Sequence, residues 1–343
     1  MSETIRTRGW RLFDQIVTDA ALRAQNPWRR AADGAVEYVP DYATLRLLLG
    51  VPLHLDANSQ SGVPALALDV WAAYEMRRAG FAPNSVWPRQ QAPRVLPKDL
   101  STLMTGLPRD LQAQVRNRVR NGKVKGVAPA SANLLGKNYV KQVDVVMSSW
   151  ETGPELMIST KRMDSSFGKN AANRVEESYG DAKNLRLRHP LAALGFFYSL
   201  RSTALTEEPD SAEWLIDLLG KLGREDDAYD AVGLIIPEWG HPDSRDADDD
   251  DTQDPLAAAG VVPAGDDDSG VPADLPEGQV RSEIEQLPDV QLRLDAVPPE
   301  LSPARFLAVM VRRVLDNSPV NFHRDARTRL GQPDAGSPPI PAS

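Results

Sequence analysis

Residues 142–190 read QVDVVMSSWETGPELMISTKRMDSSFGKNAANRVEESYGDAKNLRLRHP, and this stretch decides the fold. Two apolar runs flank Thr152-Gly153, a composition suited to a tight hairpin turn, so strands are expected at Val140 to Ser148 and Glu155 to Arg162. Facing residues of an antiparallel hairpin keep a constant number sum, and a two-residue turn at 152–153 sets Asp144 opposite Lys161 on one face. A helix from about Lys169 to Arg188 follows, with an apolar stripe of Ala172, Val175, Tyr179 and Ala182. At 100° per residue, Glu176 falls about 80° from the centre of that stripe and Glu177 about 180° away. Glu176 is thus expected to border the sheet and Glu177 to face solvent.

Outward from this stretch, strands are expected at Leu191 to Leu200 and Ala231 to Trp239, with a helix at Ser211 to Leu222 between them. That order predicts an α/β core with a mixed central sheet flanked by helices, over residues 98–240. Apolar residues at helical spacing through Trp10 to Ala32 and Val63 to Arg78 make 1–97 a helical region packed on the core. Pro108 opens a further helix. Its apolar positions Leu111, Val115 and Val119 lie opposite a basic stripe of Arg109, Arg116, Arg120 and Lys123.

Residues 241–280 are rich in Asp, Pro, Gly and Ala and are expected to be a disordered acidic insertion. A calcium site is the competing idea for these aspartates, but the spacing of a calcium-binding loop is missing. A strand at Val290 to Val297 and a helix from Ser302 to Asn317, within 281–330, are expected to return to the core. The last segment, 331–343, reads as a flexible tail.

The formal charge of −9 is the charge of one segment: ten aspartates and one arginine lie between Asp243 and Asp268, and the rest of the chain is neutral overall. An anionic partner is therefore not excluded. With no cysteine, disulfides, thiolate metal sites and cysteine nucleophiles are excluded. No apolar run reaches the length of a membrane span and no signal segment opens the chain, so a soluble cytoplasmic protein is expected. Neither a P-loop nor a dinucleotide-binding glycine motif is present, and the four histidines lack metal-ligand spacing.

Asp144 followed by Ser159-Thr160-Lys161 resembles the core of the PD-(D/E)XK nucleases, the restriction-endonuclease-like fold. Ser159-x-Lys161 with Glu176 further on resembles the type II restriction endonucleases whose second acid has moved from the strand to the following helix, leaving serine in its place. The resemblance covers about residues 140–240. It implies that Asp144, Glu176 and the carbonyl of Thr160 hold Mg²⁺, with Mn²⁺ as a substitute, and that Lys161 orients the attacking water and stabilises the charged phosphorane. If the alignment slips by one, Glu177 takes the place of Glu176. A plain cross-strand ion pair between Asp144 and Lys161 is the competing reading.

The expected function is Mg²⁺-dependent hydrolysis of double-stranded DNA by a type II-like restriction enzyme in defence against phage or foreign DNA. A homodimer or larger assembly is expected, because cutting both strands calls for two active sites. The alternatives are a repair or other defence nuclease of this family, and a catalytically inactive DNA-binding or scaffold protein on the same fold. Lys169 and Lys183, one helical repeat either side of Glu176, join Arg109, Arg116, Arg120 and Lys123 as candidate phosphate contacts. For each of these cations, a solvated helix face is the alternative.

Overall fold

The computed structural model describes residues 3–120, 131–165, 167–240 and 277–335. Helix α1 (Ile5–Arg23) starts where the hydroxyl of Thr4 accepts from the amide of Thr7, and a small antiparallel pair, β1 (Trp28–Arg30) and β2 (Val36–Tyr38), follows it. Asp41 caps α2 (Tyr42–His54) by accepting from the amide of Thr44. Next come α3 (Val63–Arg78), β3 (Val86–Trp87), α4 (Lys98–Gly106), α5 (Arg109–Arg120), β4 (Asn133–Leu135) and β5 (Val140–Gln142). The middle of the chain holds β6 (Val145–Ser149), β7 (Gly153–Met163), α6 (Phe167–Arg186), β8 (Ala193–Leu200), α7 (Ala204–Glu207), α8 (Pro209–Leu222), β9 (Ala231–Ile235) and β10 (Pro237–Glu238). Beyond residue 276 lie α9 (Glu277–Ile284), β11 (Gln291–Leu292), α10 (Pro303–Asn317), α11 (Arg324–Gly331) and β12 (Asp334–Ala335).

The central sheet has five strands in the order β3-β6-β7-β8-β9. Pairs β3/β6 and β6/β7 are antiparallel and β7/β8 and β8/β9 parallel, so the sheet is mixed. Alternation along the strands divides two apolar layers. Val145, Met147, Leu156, Ile158 and Phe197 face α3 and α10, packing with Trp71 and Phe306. Val146, Met157, Leu194, Phe196 and Leu234 face α6 and α8, packing with Val175, Leu185, Leu215 and Leu219. Every residue of β8 is buried, as a central strand covered on both faces requires. Gly195 and Gly233 let α10 settle on the sheet: a Cβ at either would stand 2.8–2.9 Å from the ring of Phe306.

Four local expectations differ from the structure. The strand expected over Val140 to Ser148 is split at Val143-Asp144, because β5 pairs with β4 while β6 joins the central sheet. The strand expected at Val290 to Val297 shrinks to β11, since its partner β10 is two residues long and begins with Pro237, which has no amide to donate. The N-terminal helical region supplies β3, an edge strand of the central sheet, so a boundary at residue 97 would cut that sheet. The expected tail is held as far as Ala335, since β12 lies parallel to β1 and the Asn26 amide donates to the carbonyls of Arg329 and Gln332. Most of the acidic insertion, 241–276, lies outside the described residues, and its expected last residues begin α9. Among the described residues, no helix is long and apolar enough to cross a membrane.

Candidate active site

The β6–β7 hairpin places the first candidates. Its pairs run Val145↔Ile158, Val146↔Met157 and Met147↔Leu156, then shift through a bulge to Ser148↔Pro154 and Ser149↔Gly153. The turn therefore spans residues 150–152, with Gly153 in the left-handed region at φ 69°. Continuing the register sets Ser159, rather than Lys161, opposite Asp144. The expected Asp144–Lys161 pairing is thus out by two residues. A slip of two preserves side-chain parity, so Asp144, Ser159 and Lys161 still share one face. All three line a cleft of about 30 Å³ between the sheet and α6, room for an ion or for one or two waters.

Asp144 sits where β6 begins. Its Oδ2 accepts from the amide of Thr160 at 2.8 Å. Burial drives its pKa upward, opposed by the positive charge of Lys161, by the Thr160 amide and by Lys141. Lys161 forms no salt bridge with a carboxylate among the described residues, so the cross-strand ion pair is absent and the ammonium is left facing the cleft.

A second carboxylate comes from α3, which the sequence did not single out. Asp69 is buried, and its Oδ1 accepts from the hydroxyl of Thr160 at 2.5 Å. Alternation along β7 turns the Thr160 side chain to the α3 face while Ser159 and Lys161 face α6. Burial and then the charge of Asp144 push the Asp69 carboxyl well above its ordinary range. A buried acid and a half-buried one therefore reach one residue from the two faces of the sheet.

Helix α6 is turned differently from its expected phase. Among its described side chains Phe167, Val175, Ser178, Asp181, Ala182, Asn184 and Leu185 are buried, whereas Glu176 and Glu177 are both exposed; that of Ala172 lies outside the described residues. The buried stripe is rotated by about 90° from the one drawn through apolar residues alone. Polar groups take the core-facing side because each has a partner there: Ser178 donates to the Val175 carbonyl and Asn184 to that of Tyr139. Glu176 therefore does not border the cleft. Glu177 lies 3.4 Å from Lys141 at its edge, and the helix residue that enters the cleft with a carboxylate is Asp181. Asp181 pairs with Lys141 at 2.6 Å and accepts from the Tyr139 hydroxyl at 2.8 Å. Burial would lower the Lys141 pKa, but the hydrogen bond and charge of Asp181 carry it above the ordinary value.

The expected phosphate contacts separate. Arg109 and Arg116 are exposed on α5. Lys183 is bound to Asp227 on the outer side of α6, away from the cleft. Lys123 and the side chains of Arg120 and Lys169 lie outside the described residues.

A Mg²⁺ ion needs one or two carboxylates and completes its shell with water and phosphate oxygens. Among the described residues, no group of three acids or histidines gathers as a metal cluster. The donors that fit are the second oxygen of Asp144 and the carbonyl of Thr160. A strand residue turns its N–H and C=O to the same neighbour, and here β6 has ended at Val145, with the Thr160 amide already satisfied by Asp144. Glu176 does not join this set. Comparison with known proteins gives no matching family model, no similar curated protein and no similar solved structure.

Proposed function

We propose that the chain is a Mg²⁺-dependent nuclease of the PD-(D/E)XK type, acting on duplex DNA. The supporting observation is the convergence of Asp144, Ser159 and the unpaired Lys161 on one polar cleft, with the Thr160 backbone turned toward it. In this reading Asp144 and the Thr160 carbonyl hold the cation, and Asp69 positions Thr160 from behind the strand by accepting from its hydroxyl. When bound, the ion offsets charge that builds on the phosphate and makes a coordinated water more acidic. Lys161 holds the attacking water and neutralises the same phosphate oxygens. Ser159 lines the floor between them. Cleavage of both strands would call for two copies of the chain, and a restriction role in defence is the biological setting proposed.

One observation favours a second reading. With Glu176 in solvent, Asp144 is the one member of the carboxylate pair implied by the resemblance that lines the cleft, as in a DNA-binding protein that has lost catalysis. Incubating the protein with supercoiled plasmid separates the two: nicked or linear product that requires Mg²⁺ and disappears with EDTA supports the nuclease, and binding without cleavage in either Mg²⁺ or Mn²⁺ supports the inactive protein.

A further inference from the structure

The loop that leaves β3 carries an excess of guanidinium groups. β3 runs antiparallel to β6 with Trp87 opposite Val146, so residues 88 onward emerge at the sheet end where Asp144 lies. Arg77 from α3 donates to the loop carbonyl of Pro88, Arg94 to that of Arg89 and Arg89 to that of Pro93, and the charge of Arg116 on α5 acts on Arg89.

Arg94 consumes the local carboxylate. It grips Asp14 with both terminal nitrogens, at 2.7 and 3.0 Å, and its guanidinium lies 3.8 Å over the ring of Trp10. Arg77 is half-buried and donates to the carbonyl of Pro88 at 3.0 Å, which supports the loop from beneath. Arg89 donates to the carbonyl of Pro93 and to Asn84, both at 3.1 Å, and its Nε has no partner although it is buried. Arg116 is exposed. Among the described residues neither Arg89 nor Arg116 pairs with a carboxylate.

Like charges held this close oppose one another. Burial, then Arg94 and Arg116, lower the Arg89 pKa, and burial takes Arg77 down to about 10 even with Asp14 nearby. Among the described residues these cations are held by neutral acceptors and one carboxylate, Asp14, so a phosphate from outside is a fitting counter-charge.

We propose that Arg89 and Arg116, positioned by Arg77 and Arg94, bind backbone phosphates of a nucleic acid that runs on from the Asp144–Lys161 cleft. The proposal rests on the nuclease reading only in taking nucleic acid as the source of phosphate. It moves the phosphate track from the outer side of α6 to the β3–α4 loop and α5.

The test is equilibrium binding of the full-length protein to a fluorescent duplex oligonucleotide in EDTA, over a series of salt concentrations. Arg116→Glu removes the exposed cation, and Arg89→Gln keeps a donor for Pro93 while removing charge. Circular dichroism and melting establish that both variants are folded. Each folded variant is expected to bind on the order of tenfold more weakly, with a salt slope smaller by about one. Wild-type affinity and slope in folded Arg116→Glu would overturn the proposal, and if the wild type also cleaves plasmid, the nuclease reading survives that loss. Arginine-dependent binding without any Mg²⁺-dependent cleavage leaves the phosphate surface standing and removes the nuclease. Binding of polyglutamate through Arg116, with none of duplex, would assign the surface to an acidic protein and also overturn the proposal.

Discussion

Asp69 and Asp144 meet at Thr160 from opposite faces of the central sheet, one accepting from its hydroxyl at 2.5 Å and the other from its amide at 2.8 Å. One strand residue thus ties α3 to the hairpin, and the two carboxylates are close enough that each ionisation opposes the other. With Asp69 buried and Asp144 half-buried, ionising both is costly without a cation.

That cost has a definite pH dependence. Both carboxyls have folded pKa values above their unfolded ones, so in the window between those values the unfolded chain holds fewer protons and stability falls as pH rises. The metal-free protein is expected to lose melting temperature as pH rises above about 4, the ordinary aspartate value, with Asp144→Asn and Asp69→Asn each flattening the decline. Mg²⁺ should raise the wild-type melting temperature most at the upper end, where both acids must otherwise ionise unaided. A decline unchanged in both variants would show that other groups govern it.

The two helix glutamates give a second test. Glu176 and Glu177 are both exposed, and Glu177 reaches only Lys141, at 3.4 Å. Glu176→Gln is expected to leave cleavage within about twofold of wild type, and Glu177→Gln to cost no more than about 1 kcal/mol of stability, the scale of an exposed ion pair. Asp181→Asn should do more harm, because it removes the charge that holds Lys141 in the cleft wall. Loss of cleavage in Glu176→Gln would mean that α6 turns when substrate binds.

The extent to which the site could be read from sequence follows from how local each relationship is. Asp144, Ser159 and Lys161 belong to one hairpin whose period-2 pattern fixes their common face; the turn at 150–152 shifts the pairing by three and the bulge at Met147/Ser148 returns one, a net change of two that keeps that face. The phase of α6 was misread because Ser178, Asp181 and Asn184 face inward and an apolar stripe does not count them. Asp69 left no local signal: it lies 91 residues before Thr160, on a helix buried almost all round, and only the packing of α3 on β6 and β7 brings it there. A charged residue in the middle of so apolar a helix was the one available hint.

A third prediction concerns the polar knot that seats α3 against the N-terminal helices. Glu75 is fully buried and accepts from the Tyr38 hydroxyl at 2.8 Å, the Asp41 amide at 2.6 Å and Arg78 at 2.9 Å. Glu75→Ala should cost about 3–5 kcal/mol, since it strands the half-enclosed Arg78 together with two donors. Glu75→Gln should cost less, because it can still accept from Tyr38 and Asp41. Chemical denaturation would measure both, and equal losses would contradict the assignment of the larger cost to unpaired donors.

Single-turnover cleavage of duplex plasmid in Mg²⁺ by the wild type, Asp144→Ala and Lys161→Ala, each first shown to be folded, tests the account most directly. Asp144 is proposed to hold the cation and Lys161 to act at the phosphate, so both variants should lose cleavage by at least about a thousandfold, the scale of losing a preorganised electrostatic group. Cleavage at the wild-type rate by either folded variant would contradict the account.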